Sequence, residues 1–233
     1  MAFFHLNPDG YFYFKDYHHK HITESPIGIL VHNLTAYRPL SASVKDSVAE
    51  VNYPCGVCRI EISELTDYVK LKLLSIPEGS DGFIFGPYET DAISAGEIIG
   101  AAWQEDKTVV CIQSLMPKVV EGASVPYSEN QSGTELSKRE RAAVLYDGKV
   151  SLQLSAVDMS RETKLPDGFV VRPVSDSDAS IVGAAVALMS GENAKELLEK
   201  ISKMEQAEGL PHPLYRGSTP RYHLRHLHAV YEE

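Results

Sequence analysis

The segment SDGFIFGPYETDAISAGEIIGAAWQEDKTVVCI, at residues 80–112, limits the choice of fold more than any other part of the chain. The apolar runs at 82–86 and 107–112 predict two short buried strands. Between them, Thr90 and Asp91 can cap a helix with one broad apolar face. Apolar strands that alternate with a helix are typical of a parallel crossover. The segment therefore predicts an α/β or α+β fold, with a mixed sheet and flanking helices.

The spacing of apolar residues elsewhere predicts further elements of both kinds. Alternation of apolar and polar residues at 57–62 and 68–76 indicates strands. Valines at helical spacing predict a helix over 40–51, and an apolar stripe predicts another over about 192–208. The same patterns predict strands at 26–34, 148–157 and 168–174, and helices that follow capping residues at Ser137 and Ser175.

The two ends of the chain differ in composition from the middle. Residues 1–25 are rich in aromatic residues and histidine, and residues 210–233 are rich in Pro, Arg, His and Tyr. Such compositions favour extended N- and C-terminal arms that become ordered against a partner. We expect residues 26–209 to form a single core domain, with a subdivision near 117–136, where the sequence is loop-like.

Bulk composition excludes some classes of protein. The chain has 233 residues and a formal net charge of −10, which disfavours binding of nucleic acid through overall charge. The N-terminal sequence lacks the basic and apolar regions of a signal peptide, and no stretch approaches the ~20 apolar residues of a membrane helix. Three cysteines are too few for a disulfide scaffold. We therefore expect a soluble cytoplasmic protein with reduced thiols and no membrane contact.

The sequence YPCGVC places Cys55 and Cys58 in a C-x-x-C pattern. The words PCGVCR resemble the second zinc-binding stretch of the cytidine deaminases. That family also has an upstream His or Cys followed by Ala and Glu, which supply a zinc ligand and the proton shuttle. Here Ala49 and Glu50 follow Val48, which is no ligand, so the resemblance lacks its catalytic half.

Three interpretations of the cysteine pair remain open. A redox pair needs a helix after the second cysteine, whereas the following RIEI predicts a strand. A structural zinc site needs four ligands, of which the pair supplies two. The third interpretation is two small thiols packed in the core. For a Cys2His2 zinc site, the remaining ligands would come from one of two pairs: His19 and His21, or His223 and His226.

Glu97 is the candidate catalytic residue of the predicted strand–helix–strand unit. It stands among Gly96, Ile98 and Ile99, and a carboxylate with such neighbours is paired, exposed or catalytic. We take Asp81 and Tyr88 as candidate residues that assist it.

The same unit is similar to the nucleoside deoxyribosyltransferases. The similarity rests on the order Asp81, then EIIGAA, then KTVVCI, although the glycine falls three residues after the glutamate rather than two. The family's Asp-x-Gly-Thr approach to the glutamate is replaced by DAISAG. The resemblance implies that Glu97 is a nucleophile that attacks C1′ of a sugar and forms a covalent glycosyl intermediate.

Two hypotheses of function follow from these features. The first is a structural or assembly subunit of a larger complex, viral or homo-oligomeric, whose arms contact a protein partner. It is favoured because the chain contains no complete catalytic motif. The second is a small-molecule enzyme that acts on a nucleoside or sugar-like substrate with Glu97 as its carboxylate. Zinc is the one cofactor that the residues suggest.

Overall fold

The computed structural model describes residues 3–15, 20–92, 94–95, 101–103, 109–116, 119–120, 143–146, 149–158, 162–164, 170–171 and 180–210. Over these residues the chain consists mainly of β-strands, with a single α-helix near the C-terminal end of the described part.

The strands are β1 (Phe3–Leu6), β2 (Tyr11–Lys15), β3 (Lys20–Pro26), β4 (Ile29–His32), β5 (Thr35–Tyr37), β6 (Ser41–Lys45), β7 (Val48–Tyr53), β8 (Gly56–Glu64), β9 (Val69–Ser75), β10 (Ser80–Glu89), β11 (Ser94–Ala95), β12 (Ala101–Trp103), β13 (Val109–Ser114), β14 (Val119–Val120), β15 (Ala143–Tyr146), β16 (Lys149–Val157), β17 (Thr163–Lys164), β18 (Val170–Val171) and β19 (Ala185–Gly191). The helix is α1 (Ala194–Ala207).

These strands form antiparallel sheets. An eight-stranded sheet has the order β11-β12-β13-β19-β9-β8-β7-β6, and a six-stranded sheet has the order β14-β16-β10-β4-β5, with β15 also paired to β16. A three-stranded sheet has the order β1-β2-β3, and β17 pairs with β18.

The predicted α/β or α+β mixed sheet with flanking helices is wrong. The run at 82–86 lies in β10 of the six-stranded sheet, whereas the run at 107–112 enters β13 of the eight-stranded sheet. The two strands therefore cannot form a parallel crossover. A short apolar run fits a strand buried in an antiparallel sandwich as well as one in a parallel sheet, so periodicity did not separate these folds.

One cluster of buried side chains joins the eight-, six- and three-stranded sheets. Strands such as β7 and β9 alternate inward apolar with outward polar residues, and in β9 Leu71 and Leu73 are buried. Tyr53 of the eight-stranded sheet meets Phe83 of the six-stranded sheet edge-to-face, with ring centroids 6.4 Å apart. The core thus lies between facing sheets, as in a β-sandwich.

The helix predicted over 40–51 is instead a β-hairpin of β6 and β7. Asp46 and Ser47 connect the strands with φ values of 49° and 62°, the left-handed conformation of a type I′ turn. Along β7, Ala49 and Val51 are buried while Glu50 and Asn52 are exposed. Valine favours strands, and this alternation outweighs the coincidental helical spacing of the valines.

Other helix predictions have mixed outcomes. The helix predicted over about 192–208 is confirmed as α1, whose N-cap Asn193 accepts a hydrogen bond from the Glu196 amide at 3.1 Å. The sequence after Ser175 contains the buried strand β19 rather than a helix, and the predicted helix after Ser137 overlaps strand β15. The strands predicted at 57–62 and 68–76 are confirmed as β8 and β9.

The prediction of an extended N-terminal arm is wrong for the part of residues 1–25 that the structure describes. β1, β2 and β3 pack on the core, and Phe12 and Phe14 are fully buried. The turn between β1 and β2 also covers the edge strand β6, because the Pro8 carbonyl accepts the Ala42 amide hydrogen at 2.7 Å. Phe4, Phe12 and Phe14 are therefore core residues. The predicted C-terminal arm past Leu210 and most of 117–136 fall outside the described residues.

Candidate functional site

The helix α1 lies on the outer face of the eight-stranded sheet. Small outward residues of β19, Ala185 and Ala187, allow the helix to approach closely, and Leu197, Ile201 and Met204 face them. This second apolar cluster is separate from the core between the sheets. It fixes the helix on one half of the outer face, over β9, β13 and β19.

The chain leaves this helix at a defined point. The Gly209 amide donates to the Gln206 carbonyl at 3.3 Å, and the Leu210 amide donates to the Glu205 carbonyl at 2.8 Å. Gly209 has φ 67°, so the pattern is a Schellman motif with glycine in the left-handed conformation. Leu210 packs against the apolar cluster beneath the helix. The motif stops the helix and turns the chain so that Leu210 lies against this cluster.

Three side chains tie this end of α1 to strand β9 and its preceding residue. The Tyr68 hydroxyl donates to Oε1 of Glu208 at 2.6 Å, and Nζ of Lys70 donates to Oε2 of the same carboxylate. We call Tyr68, Lys70 and Glu208 the Glu208 clasp. Alternation along β9 puts Tyr68 and Lys70 on the same outer face. The side chains of Lys70 and Glu208 are only 23% and 16% exposed, so solvent screens this ion pair less than a surface pair.

The surroundings of the Glu208 clasp determine the protonation states of Glu208 and Tyr68. Burial acts to raise the pKa of Glu208, but hydrogen bonds from Lys70 and Tyr68 and the charges of Lys70 and Lys72 outweigh it and lower that pKa. Burial, together with the hydrogen bond to Glu208 and the charge of its carboxylate, raises the pKa of Tyr68. At neutral pH, therefore, Glu208 is ionised and Tyr68 keeps its proton.

The clasp is suited to anchoring rather than to catalysis. Both carboxylate oxygens of Glu208 accept hydrogen bonds, so the group is neither a poised base nor an open ligand. Sequence patterns did not point to it, because Tyr68 and Glu208 are 140 positions apart. The spacing of Tyr68 and Lys70 on one strand face is the sole local signal.

The structure gives Asp81 and Tyr88 structural partners. The Asp81 carboxylate accepts the Leu34 amide hydrogen at 3.0 Å and so supports the β4–β5 turn. The Tyr88 hydroxyl is fully buried and donates to the Ile27 carbonyl at 2.9 Å. Burial raises the pKa of Tyr88 well above its ordinary value.

These two candidate catalytic residues are not brought together. They lie near opposite ends of β10, and at the rise per residue of a strand their Cα atoms are about 20 Å apart. Glu97 falls among residues that the structure does not describe, so its catalytic role stays a prediction.

The cysteine pair lies at the β7–β8 hairpin. Cys55 occupies the turn and is half-buried, while Cys58 is fully buried on the inner face of β8. Burial raises the pKa of both thiols, and for Cys58 the neighbouring Cys55 raises it further. Neither thiol has the lowered pKa of a redox-active cysteine.

The zinc prediction is wrong on the described part of the chain. There, no group of three or more His, Cys, Asp or Glu side chains could hold a metal ion. His21 is buried beside the ring of Phe14, with ring centroids 5.8 Å apart. The C-x-x-C spacing reflects a hairpin turn that places Cys58 in the core. His19, His223 and His226 belong to the stretches that are not described.

Two broader observations bear on function. Within the described ranges, no helix has both the length and the apolar character needed to cross a membrane. Comparison of the chain with protein-family models, curated proteins and solved structures finds no match.

Proposed function

We propose that the chain is an assembly subunit whose C-terminal segment, residues 211–233, contacts a second copy. The observation that carries the proposal is the Glu208 clasp together with the Schellman motif. They hold Leu210 on the outer face of the eight-stranded sheet. Because Leu210, the residue before the segment, is held in place, the segment loses less conformational entropy when it binds a neighbour.

The composition of the C-terminal segment supports this role. It contains Arg216, Arg221 and Arg225, interspersed with tyrosines and histidines. Arginine and tyrosine are enriched at the centres of protein interfaces, because they combine broad planar contacts with directional hydrogen bonds.

The polar side chains of the described core support a structural role as well. Thr90 donates to the Val150 carbonyl at 2.6 Å, and Ser25 accepts the Glu89 amide hydrogen at 2.9 Å. Like Asp81 and Tyr88, these groups satisfy the backbone. The alternative is an enzyme that acts on a nucleoside or sugar-like substrate through Glu97. The described residues, which do not include Glu97, offer no observation in its favour.

We place this subunit in the cytoplasm. Cys55, Cys58 and Cys111 are free thiols, two of them fully buried. Reduced cysteines are the rule in a compartment that glutathione and thioredoxin keep reducing.

Native mass spectrometry of the full chain and of a variant that ends at Leu210 tests the proposal. The shorter variant retains α1, the Schellman motif and all three clasp residues. We expect the full chain to form a dimer or a larger closed oligomer, and the variant that ends at Leu210 to be monomeric with an unchanged circular dichroism spectrum.

A full-length variant with Arg216→Ala, Arg221→Ala and Arg225→Ala provides the matched control for chain length. It should weaken the assembly while leaving the segment in place, because arginine anchors contribute strongly to such interfaces. The same number of subunits in the full chain and in the truncated variant would overturn the proposal.

A further inference from the structure

One carboxylate lies beneath α1 rather than on its exposed side. The helix buries Leu197, Ile201, Met204 and Glu205 along one face. Glu205 is only 7% exposed, whereas Glu199 on the same helix faces solvent. The side chain of Glu205 thus lies at the contact of the helix with the apolar outer face of the sheet.

Burial in such a place shifts the balance of a carboxyl group from its charged form towards its neutral form. Moving an ionised carboxylate out of water is strongly unfavourable, so a buried acid tends to take up a proton. Burial raises the pKa of Glu205 from 4.5 to about 7.

We propose that docking of α1 on the eight-stranded sheet is linked to a proton: Glu205 is held under the helix in its neutral form, and its ionisation loosens the helix. The inference concerns the helix itself and holds whether or not residues 211–233 contact a second copy.

Three other titratable groups around the helix have pKa values that are shifted away from neutral pH. The pKa of Glu208 is lowered, that of Tyr68 is raised, and burial raises that of Cys111 on β13 to about 12. Outward residues of β19 at this contact are Ala185, Ala187 and Met189, which do not titrate. Among the described residues, the charged groups near this face also include Asp67 before β9, Lys70 and Lys72 of β9, and the pair formed by Lys200 and Glu196 of α1.

The direction of the effect follows from proton linkage. The docked helix binds the Glu205 proton more tightly than the undocked helix does, so docking is fully favoured below the ordinary pKa of 4.5. The advantage declines as pH rises and is lost once pH passes the docked pKa of about 7.

Hydrogen exchange of the α1 amides in the full chain measures docking directly. We compare the wild type, Glu205→Gln and the control Glu199→Gln between about pH 5.5 and 8.5, after correction for intrinsic exchange. In the wild type and in Glu199→Gln, α1 protection should fall roughly tenfold or more across this range. In Glu205→Gln the protection should stay constant, because no proton is bound or released at this position.

Two results would overturn the inference. One is a wild-type helix whose protection does not change with pH. The other is a Glu205→Gln variant with the same pH dependence as the wild type. If the glutamine variant fails to fold, Glu205→Leu serves instead, since it removes the ionisable group and suits the apolar contact.

Discussion

Gly86 shows at the scale of one residue how closely β10 and β16 approach. Its φ of 116° lies in the region that favours glycine, and a Cβ added there would be 2.5 Å from the Leu152 carbonyl oxygen. The pairing of the two strands shifts register between Phe85 and Tyr88 at this point. A glycine is needed because the backbone of one strand occupies the space that a side chain would fill.

We therefore expect Gly86→Ala to destabilise the protein by about 3 kcal/mol or more, since it combines an unfavourable φ with a backbone clash. The control is Gly209→Ala, which also has a positive φ of 67° but nothing within 4 Å of the added Cβ. That change should cost about 1 kcal/mol. Urea denaturation measures both, and equal losses for the two variants would show that the clash is relieved.

The sequence identifies side chains that are chemically capable but not the roles that they take. Asp81 and Tyr88 are candidates because they can ionise or donate, and both instead bond to backbone groups of distant segments. The Leu34 amide and the Ile27 carbonyl become their partners only when β4 and β10 pair. No local pattern in the sequence reports such a contact.

Turns are the elements in which local sequence acts most directly. Asn33 and Leu34 join β4 to β5 with φ values of 50° and 61°, which a type I′ turn requires. Asparagine suits this conformation, whereas leucine is strained in it and is 49% exposed here.

We expect Leu34→Gly to raise the free energy of unfolding by about 1 kcal/mol, because glycine removes the left-handed strain and completes a favoured Asn-Gly pair. The control is Leu40→Gly, at a leucine that is 64% exposed and not at positive φ. That substitution should be neutral or destabilising. A loss of stability in Leu34→Gly would mean that the Leu34 side chain makes a contact that outweighs its strain.

Prediction of a strand or a helix from the sequence succeeds where the periodicity of apolar residues is distinct. β8, β9 and α1 agree with their predictions, because each has a sustained period and clear ends. For the hairpin of β6 and β7 and for the buried strand β19 the sequence wrongly predicts helices, because small residues and valines occur in both contexts. For β19, burial by the core on one face and α1 on the other decides the conformation.

At the scale of the whole molecule, the Glu208 clasp connects segments that are distant in sequence. Its contribution should depend on pH, because the pKa of Glu208 is lowered in the folded protein. A lowered pKa means that the stabilisation is present above the ordinary value of 4.5 and is lost as pH falls through the folded value.

We expect Glu208→Gln to lower the free energy of unfolding by about 1–3 kcal/mol at neutral pH, and by less in acid, where wild-type Glu208 is itself protonated. Unfolding is measured by urea from about pH 3 to 7. Both proteins carry Glu205→Gln, which removes the opposite dependence expected from that residue. A difference between the two that stays constant across this range would contradict an ionised clasp.

Features that depend on neighbouring residues are readable from the sequence alone: the acidic composition, the α1 helix, and the alternating strands β8 and β9. The pairing of the strands, the separation of β10 and β13 into different sheets, and the contact of Glu208 with Lys70 emerge only in the folded chain. The physical reason is that propensity and periodicity act over one element. Pairing, burial and the pKa of a side chain depend instead on residues that folding brings from elsewhere in the chain.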